Sequence, residues 1–323
     1  MTKPSTHTSS LHRVYATIRL ILLLGIVVYL AWEMVRHWPD VQALSVRVDG
    51  LTLCAAALLG IMAYQCLFGG WLILLWRVGC FDRRQLKFYS RVWWVSFLFR
   101  YLPGKVFLVI ERVRMGSMVG IPPATGVAVA LVETLLAVFA AVWVSLLAVS
   151  YYVGQTQWTI IGLCIASVVI FLLLPASIRF LCSMSVVRRK FPEMASLTLG
   201  WRDLLLASPA FILHYILLAG SLFLCLNLVQ ELPWTVFPGI CGVYALSHLA
   251  GAVAMISPGG LGVREGALSL QLSRVLPGGV AVTVAIGIRL WFVLLELLSL
   301  GVVMVLSPQL PEAAKAASGA ADE

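Results

Sequence analysis

"SPGGLGVREGALSLQLSRVLPGGVAVTVAIGIRLWFVLLELL", residues 257–298, opens on a helix-breaking Pro-Gly-Gly and closes in an apolar run long enough to cross a bilayer. The break carries adjacent opposite charges, Arg264 and Glu265, and the run carries Arg289 and Glu296. Proline removes a backbone N–H and glycine removes conformational restraint, so the pair punctuates a helix. Ionisable groups within hydrocarbon are costly and mark pairing or function. A helix that breaks beside two charges therefore asks what sits at the break.

The same order of features occurs once before. Residues 102–136, "LPGKVFLVIERVRMGSMVGIPPATGVAVALVETLL", also begin at a Pro-Gly. In each stretch a glutamate beside an arginine follows within seven or eight residues: Glu111 with Arg112, and Glu265 with Arg264. Another proline follows (Pro122; Pro277), then a long apolar segment holding a glutamate (Glu133; Glu296). Interrupted helices in corresponding positions of two halves of a membrane chain point to a transporter's binding site. A helix that begins inside the membrane presents unsatisfied N–H groups and a positive dipole end, which suit an anion such as a lipid phosphate. Glycine lets that anion approach the backbone, and arginine supplies a matching donor fork.

The candidate binding residues are thus Pro103, Gly104, Lys105, Glu111, Arg112 and Glu133 in the first stretch. In the second they are Pro258, Gly259, Gly260, Gly262, Arg264, Glu265, Arg289 and Glu296. Arg112, Arg264 and Arg289 are expected to hold phosphate, and the four glutamates to balance charge or relay protons. The competing reading makes both stretches plain loops and Arg264 a topology-setting charge. Arg289 and Glu296 lie seven residues apart on one helical face, and could pair with each other or with partners from the other repeat. Glu133 has no evident partner nearby in sequence.

Composition sets the class. The chain has 323 residues, 61% hydrophobic and 11% charged, far from the balance of a soluble domain. Several unbroken apolar runs reach about 20 residues, the length that crosses roughly 30 Å of hydrocarbon and too long for barrel alternation. The formal net charge is +9, but the basic residues cluster at the ends of apolar runs. That distribution suits topology and anionic headgroups rather than nucleic acid. Seven cysteines stand singly without a C-x-x-C pair, so neither a disulfide framework nor a metal cluster is expected. The chain shows no P-loop, dinucleotide fingerprint, catalytic triad or nucleophile–base pair, so no enzymatic activity and no cofactor are expected. His214 and His248 sit in apolar segments, with Tyr244 and His248 one turn apart. A satisfied buried imidazole is the plainer reading there, and proton coupling the sharper one.

The fold class expected is an all-α polytopic membrane protein, with about 7–8 transmembrane helices and two interrupted or re-entrant regions in a weak internal repeat. Crossings are read at 14–35, 51–78, 123–152, 158–182, 204–229, 234–256 and 281–306. The first follows basic residues but no cleavage site, so it reads as a retained signal anchor behind a cytoplasmic tail over 1–13. A single domain over 14–306 contains repeat-like halves at about 51–152 and 204–306, and 307–323 reads as a disordered tail. The stretch 77–114 is the most basic and is placed in the cytoplasm; the uncharged 151–158 is placed outside. Within the basic stretch, residues 86–105 are too charged to span and too apolar for a solvated loop, which predicts an interfacial or re-entrant helix. Trp32, Trp38, Trp71, Trp76, Trp158, Trp201 and Trp234 read as interfacial anchors. This crossing count puts both breaks on the cytoplasmic side, whereas an inverted repeat needs opposite sides. Either residues 264–276 cross, or the repeats are parallel.

The residues of 101–136 and 257–279 resemble the two signature regions of the lysylphosphatidylglycerol synthase transmembrane, or flippase-like, family. The resemblance extends from about Arg19 to Leu306, and the second region is the more specific. Where family members follow the Pro-Gly and its basic residue with Gly-Glu, this chain has Val106 and Phe107; where they carry Glu-Arg, it has Glu133 and Thr134. The resemblance is to the membrane part alone and implies no synthase activity. It implies a multi-pass protein of the inner (plasma) membrane that binds and translocates an anionic phospholipid or polyprenyl-linked head group. The alternative is a non-transporting membrane partner of a glycosyltransferase or envelope-lipid synthase. No nucleic-acid partner is expected.

Overall fold

The structure is a computed structural model that describes residues 49–101, 106–152, 199–253, 262–276 and 278–307, with further positions between 28 and 39 and between 161 and 176. Pro103, Gly104, Lys105, Pro258, Gly259 and Gly260 lie outside the described residues. So do the tail from 308, residues 1–27, and most of the expected crossings at 14–35 and 158–182.

The first helix, α1 (Gly50–Arg77), starts at Asp49, whose carboxylate accepts the N–H groups of Leu51 and Thr52. Bonds from the Thr52 side chain and from these two amides hold that carboxyl below its ordinary value. Gly79, at φ +76°, turns the chain away from α1. A 3-10 turn (Arg83–Gln85), capped by Asp82, leads into α2 (Leu86–Leu98), which runs on through a second 3-10 turn (Phe99–Tyr101). Next come α3 (Val106–Ser117) and α4 (Pro123–Tyr152), the latter with proline at its first position where no N–H is needed. Helix α5 (Trp201–Asn227) is capped by Asp203, which accepts the Gly200 N–H. The Asn227 side chain then closes a tight turn by accepting the Leu232 N–H. The chain continues as α6 (Phe237–Val253), α7 (Val263–Leu272) and α8 (Gly278–Leu306).

Five helices are long and apolar enough to cross a membrane: Gly50–Arg77, Pro123–Ala148, Trp201–Asn227, Trp234–Ala252 and Val280–Leu306. They coincide with five of the crossings read from the sequence. No strand occurs among the described residues. Large apolar side chains such as Leu58, Leu205, Leu213, Leu298 and Val305 face outward, which suits a hydrocarbon solvent and not water.

Contacts fix the helix directions. Helices α1 and α5 are antiparallel, joined by the Ala63 carbonyl at His214, by Gly70 at Phe211 and by an Arg77 to Asp203 ion pair of 2.5 Å. The end of α1 and the start of α5 therefore share one face, which carries Arg83, Arg84 and Lys87. The end of α8 reaches the same face, where the Ser307 hydroxyl lies 2.9 Å from that of Ser90 and its carbonyl accepts Arg91 Nη1 at 3.0 Å. At the opposite face the end of α4 meets the start of α6, with Gly242 against Ala148. Helices α4 and α8 consequently run in opposite directions. Two antiparallel short-helix pairs complete the fold. Arg112 of α3 donates back to Ser96 of α2, and Arg264 of α7 donates back to Tyr244 of α6.

The structure corrects two readings of the aromatic residues. Trp93, Trp94 and Phe97 of α2 are buried inside the protein, not laid on an interface; Trp93 stacks on Phe97 at 4.5 Å and meets Trp94 edge-on at 5.2 Å. Tyr89, Val92, Trp93, Ser96 and Phe97 recur at helical spacing, so they form one face that packs against the body, while Lys87 points out. Trp71 belongs to the same core and is not an anchor, whereas Trp76 and Trp234 are exposed near helix ends as anchors should be.

Among the described glycines, Gly242 has the closest backbone neighbour: a Cβ there would overlap the Ala148 backbone nitrogen. Backbone cannot yield as a side chain can, so Gly242→Ala is expected to destabilise by about 1–3 kcal/mol. Thermal unfolding of the purified protein followed by size-exclusion fluorescence checks this, and an unchanged midpoint would contradict the packing.

Candidate functional site

Charged residues in an apolar body must find partners, and they do so in two groups. The first joins α2, α3 and α4. Arg112, only 2% exposed, forms an ion pair with Glu133 and donates through Nε to Ser96 Oγ at 2.9 Å. Glu133 also accepts Trp93 Nε1–H at 3.2 Å, and the guanidinium lies over the rings of Trp71 and Trp93 at 5.7 and 5.5 Å. Glu111 turns elsewhere, taking a two-pronged pair from Arg114 at 2.9 and 2.5 Å. Neighbours in sequence lie on different helical faces, so Glu111 and Arg112 do not pair although they are adjacent. Glu133 does have a partner, brought in by the return of α3.

The second group joins both short-helix pairs to α8. Glu296, 1% exposed, accepts the hydroxyls of Tyr64 at 2.5 Å and Tyr101 at 2.8 Å, and forms an ion pair with Arg100. Arg100 also stacks over Phe97 at 4.0 Å. Arg289 lies over the Tyr101 ring at 5.3 Å, and its Nε stands 3.4 Å from Glu265 Oε1. The other oxygen of Glu265 accepts the Gly262 N–H at 2.7 Å and so caps α7, with Gly262 in the left-handed region at φ +82°. Arg264 donates to the Tyr244 hydroxyl at 2.6 Å and lies 5.3 Å over the same ring. The Tyr244 ring also meets Phe292 of α8 at 5.5 Å, which brings Arg264 toward the segment that carries Arg289 and Glu296.

Arg289 and Glu296 do not form a pair of their own. Each engages a different short-helix pair: Glu296 holds the end of α2, and Arg289 holds the start of α7 while touching Tyr101. The flanks of the two breaks therefore meet at α8. Around that meeting point Arg100 pairs with Glu296 and Arg289 with Glu265, and Arg264 binds the Tyr244 hydroxyl. Arg112 and Glu133 form a separate unit. The pairings are related by a change of sign. In the first half the short helix gives the arginine (Arg112) and the long helix the carboxylate (Glu133); in the second, Glu265 is on the short helix and Arg289 on the long one.

Sequence reasoning missed Arg100, Tyr101 and Tyr64. Arg100 lay in a basic stretch and was absorbed into its topology charge. Its signal is position, immediately before the first Pro-Gly with a tyrosine beside it. No group of histidine, cysteine or carboxylate side chains among the described residues could hold a metal, and the six described cysteines are free thiols. No known protein family, curated protein or solved structure matches the chain.

Breaking a buried ion pair strands a charge. Arg112→Gln or Glu133→Gln alone is expected to cost about 3–5 kcal/mol, whereas Arg112→Met combined with Glu133→Leu should recover most of that loss. Unfolding midpoints of the three variants test it; equal loss in the single and double variants would contradict a mainly structural pair.

Proposed function

We propose that this chain is an inner-membrane protein that binds an anionic phospholipid or lipid-linked head group where two re-entrant hairpins meet, and carries it across the bilayer. The observation that carries this reading is the junction at Arg289, which meets Tyr101 from one short-helix pair and Glu265 from the other. Arg264 and Arg289 hold the phosphate, and Glu265 is the internal counter-charge that it displaces. Guanidinium groups match phosphate in shape and charge.

Depth supports the re-entrant assignment. Ten residues separate Ser90 at the basic face from Arg100, and eleven separate Glu296 from Ser307, each roughly 15 Å of helical rise. That is half of a hydrocarbon core of about 30 Å. Helices α2 and α3 then form a hairpin from the basic face, and α6 with α7 a hairpin from the opposite face. Helices α1 to α4 and α5 to α8 become inverted repeats, the arrangement in which a midplane site is reached from either side. Among the described residues this count gives four full crossings, α1, α4, α5 and α8, and two hairpins. The positive-inside rule puts the basic face, and with it the end of α8, in the cytoplasm. The earlier conflict over the sides of the two breaks disappears on this count, because 234–256 is half of a hairpin and not a crossing. The likeness of both Pro-Gly regions to the flippase-like family favours a lipid over a small ion.

Purified protein in vesicles containing fluorescent phosphatidylglycerol is expected to expose the label to a membrane-impermeant quencher faster than protein-free vesicles. Arg289→Gln and Arg264→Gln should slow it about tenfold or more, the loss of a charge-assisted contact. Wild-type protein that moves neither this lipid nor a polyprenyl phosphate, yet copurifies with a lipid-modifying enzyme, would overturn transport in favour of the partner reading.

A further inference from the structure

Beside the arginine cluster lies a group of rings that the charge pairing leaves unexplained. His248 of α6 is half-buried, edge-on to Tyr215 of α5 at 5.3 Å and to Tyr244 at 4.7 Å. Its Nδ1 is 3.3 Å from the Tyr244 carbonyl. A carbonyl oxygen only accepts, so the proton of the neutral ring sits on Nδ1 and the lone pair on Nε2. His214 of α5 is held in the same tautomer by the Ala63 carbonyl at 2.8 Å, but it is buried among Tyr64 and Tyr215. His248 instead shares Tyr244 with Arg264: the ring flanks one side of the tyrosine, and the guanidinium binds its hydroxyl and covers its face.

We infer that His248 is a proton-binding site coupled to anion occupancy, so that the bound head group and a proton travel together. The inference rests on the anion site proposed above. The charged and titratable groups facing His248 are Arg264 of α7, Arg289 of α8, His214 and Tyr215 of α5, and Tyr244 on its own helix. With the anion absent, the arginines beyond Tyr244 oppose a further positive charge on the ring. An anion bound to Arg264 and Arg289 offsets that opposition. Nε2 then takes a proton from water, and the site holds an anion and an imidazolium together. Linkage runs both ways: the anion favours the proton, and the proton favours the anion.

Calorimetric binding of short-chain phosphatidylglycerol to the full-length protein in detergent, repeated in buffers of different ionisation enthalpy, counts protons taken up per anion. The expected result is uptake approaching one proton per anion. Where the unloaded ring is neutral and the loaded ring protonated, affinity should fall about tenfold per pH unit as pH rises. His248→Gln should abolish the uptake and flatten the pH profile, and His214→Gln should preserve both. Binding without proton uptake in the wild type, or uptake that survives His248→Gln, overturns the coupling while leaving the anion site intact. Absence of any binding overturns the coupling and the anion site together.

Discussion

A guanidinium or carboxylate withdrawn from water into an apolar body has to be neutralised within a few ångströms, because neither solvent nor a distant charge can do it there. That requirement organises this chain more than helix propensity does. The long helices would pack in many registers by their leucines and valines alone. Arg112 and Glu133 hold α3 against α4, Glu265 and Arg289 hold α7 against α8, and Glu296 draws the end of α2 into the centre through Arg100, Tyr101 and Tyr64. Directional pairs of this kind select one register and one orientation for each short helix.

The two sign-related pairs differ in geometry. Arg112 is enclosed by Glu133, Ser96 and two indole rings. Glu265 and Arg289 stand at 3.4 Å, longer than a charge-assisted hydrogen bond, and Arg264 binds the Tyr244 hydroxyl. On the proposed reading, the first pair holds its short helix in place, and the second exchanges its internal carboxylate for a phosphate.

Much of this was legible in the residues. Five helices long and apolar enough to cross a membrane follow from run length and composition. The two Pro-Gly breaks with their Glu and Arg neighbours marked both hairpins and named most of the charges that the structure pairs. The pairing itself was not legible. Adjacency suggested Glu111 with Arg112, and heptad spacing allowed Arg289 with Glu296; the folded chain uses neither, because each partner arrives on a different helix. Arg100 and the two tyrosines around Glu296 were hidden for the same reason. The aromatic face of α2 misled in another way: tryptophan beside arginine has the composition of a membrane interface, and only packing distinguishes it from a core.

The meeting of the two hairpins at Arg289 can be tested without a substrate. Cysteines placed at Tyr101 and Glu265 in an otherwise cysteine-free chain, treated in native membranes with a short bifunctional thiol reagent, should become joined. After cleavage at a protease site introduced between α4 and α5, the two halves should then migrate as one species, as they should for a control pair at Ser90 and Ser307. Halves that separate for the 101 and 265 pair but stay joined for the control would show that the breaks do not converge, and the shared anion site would have no place in the molecule.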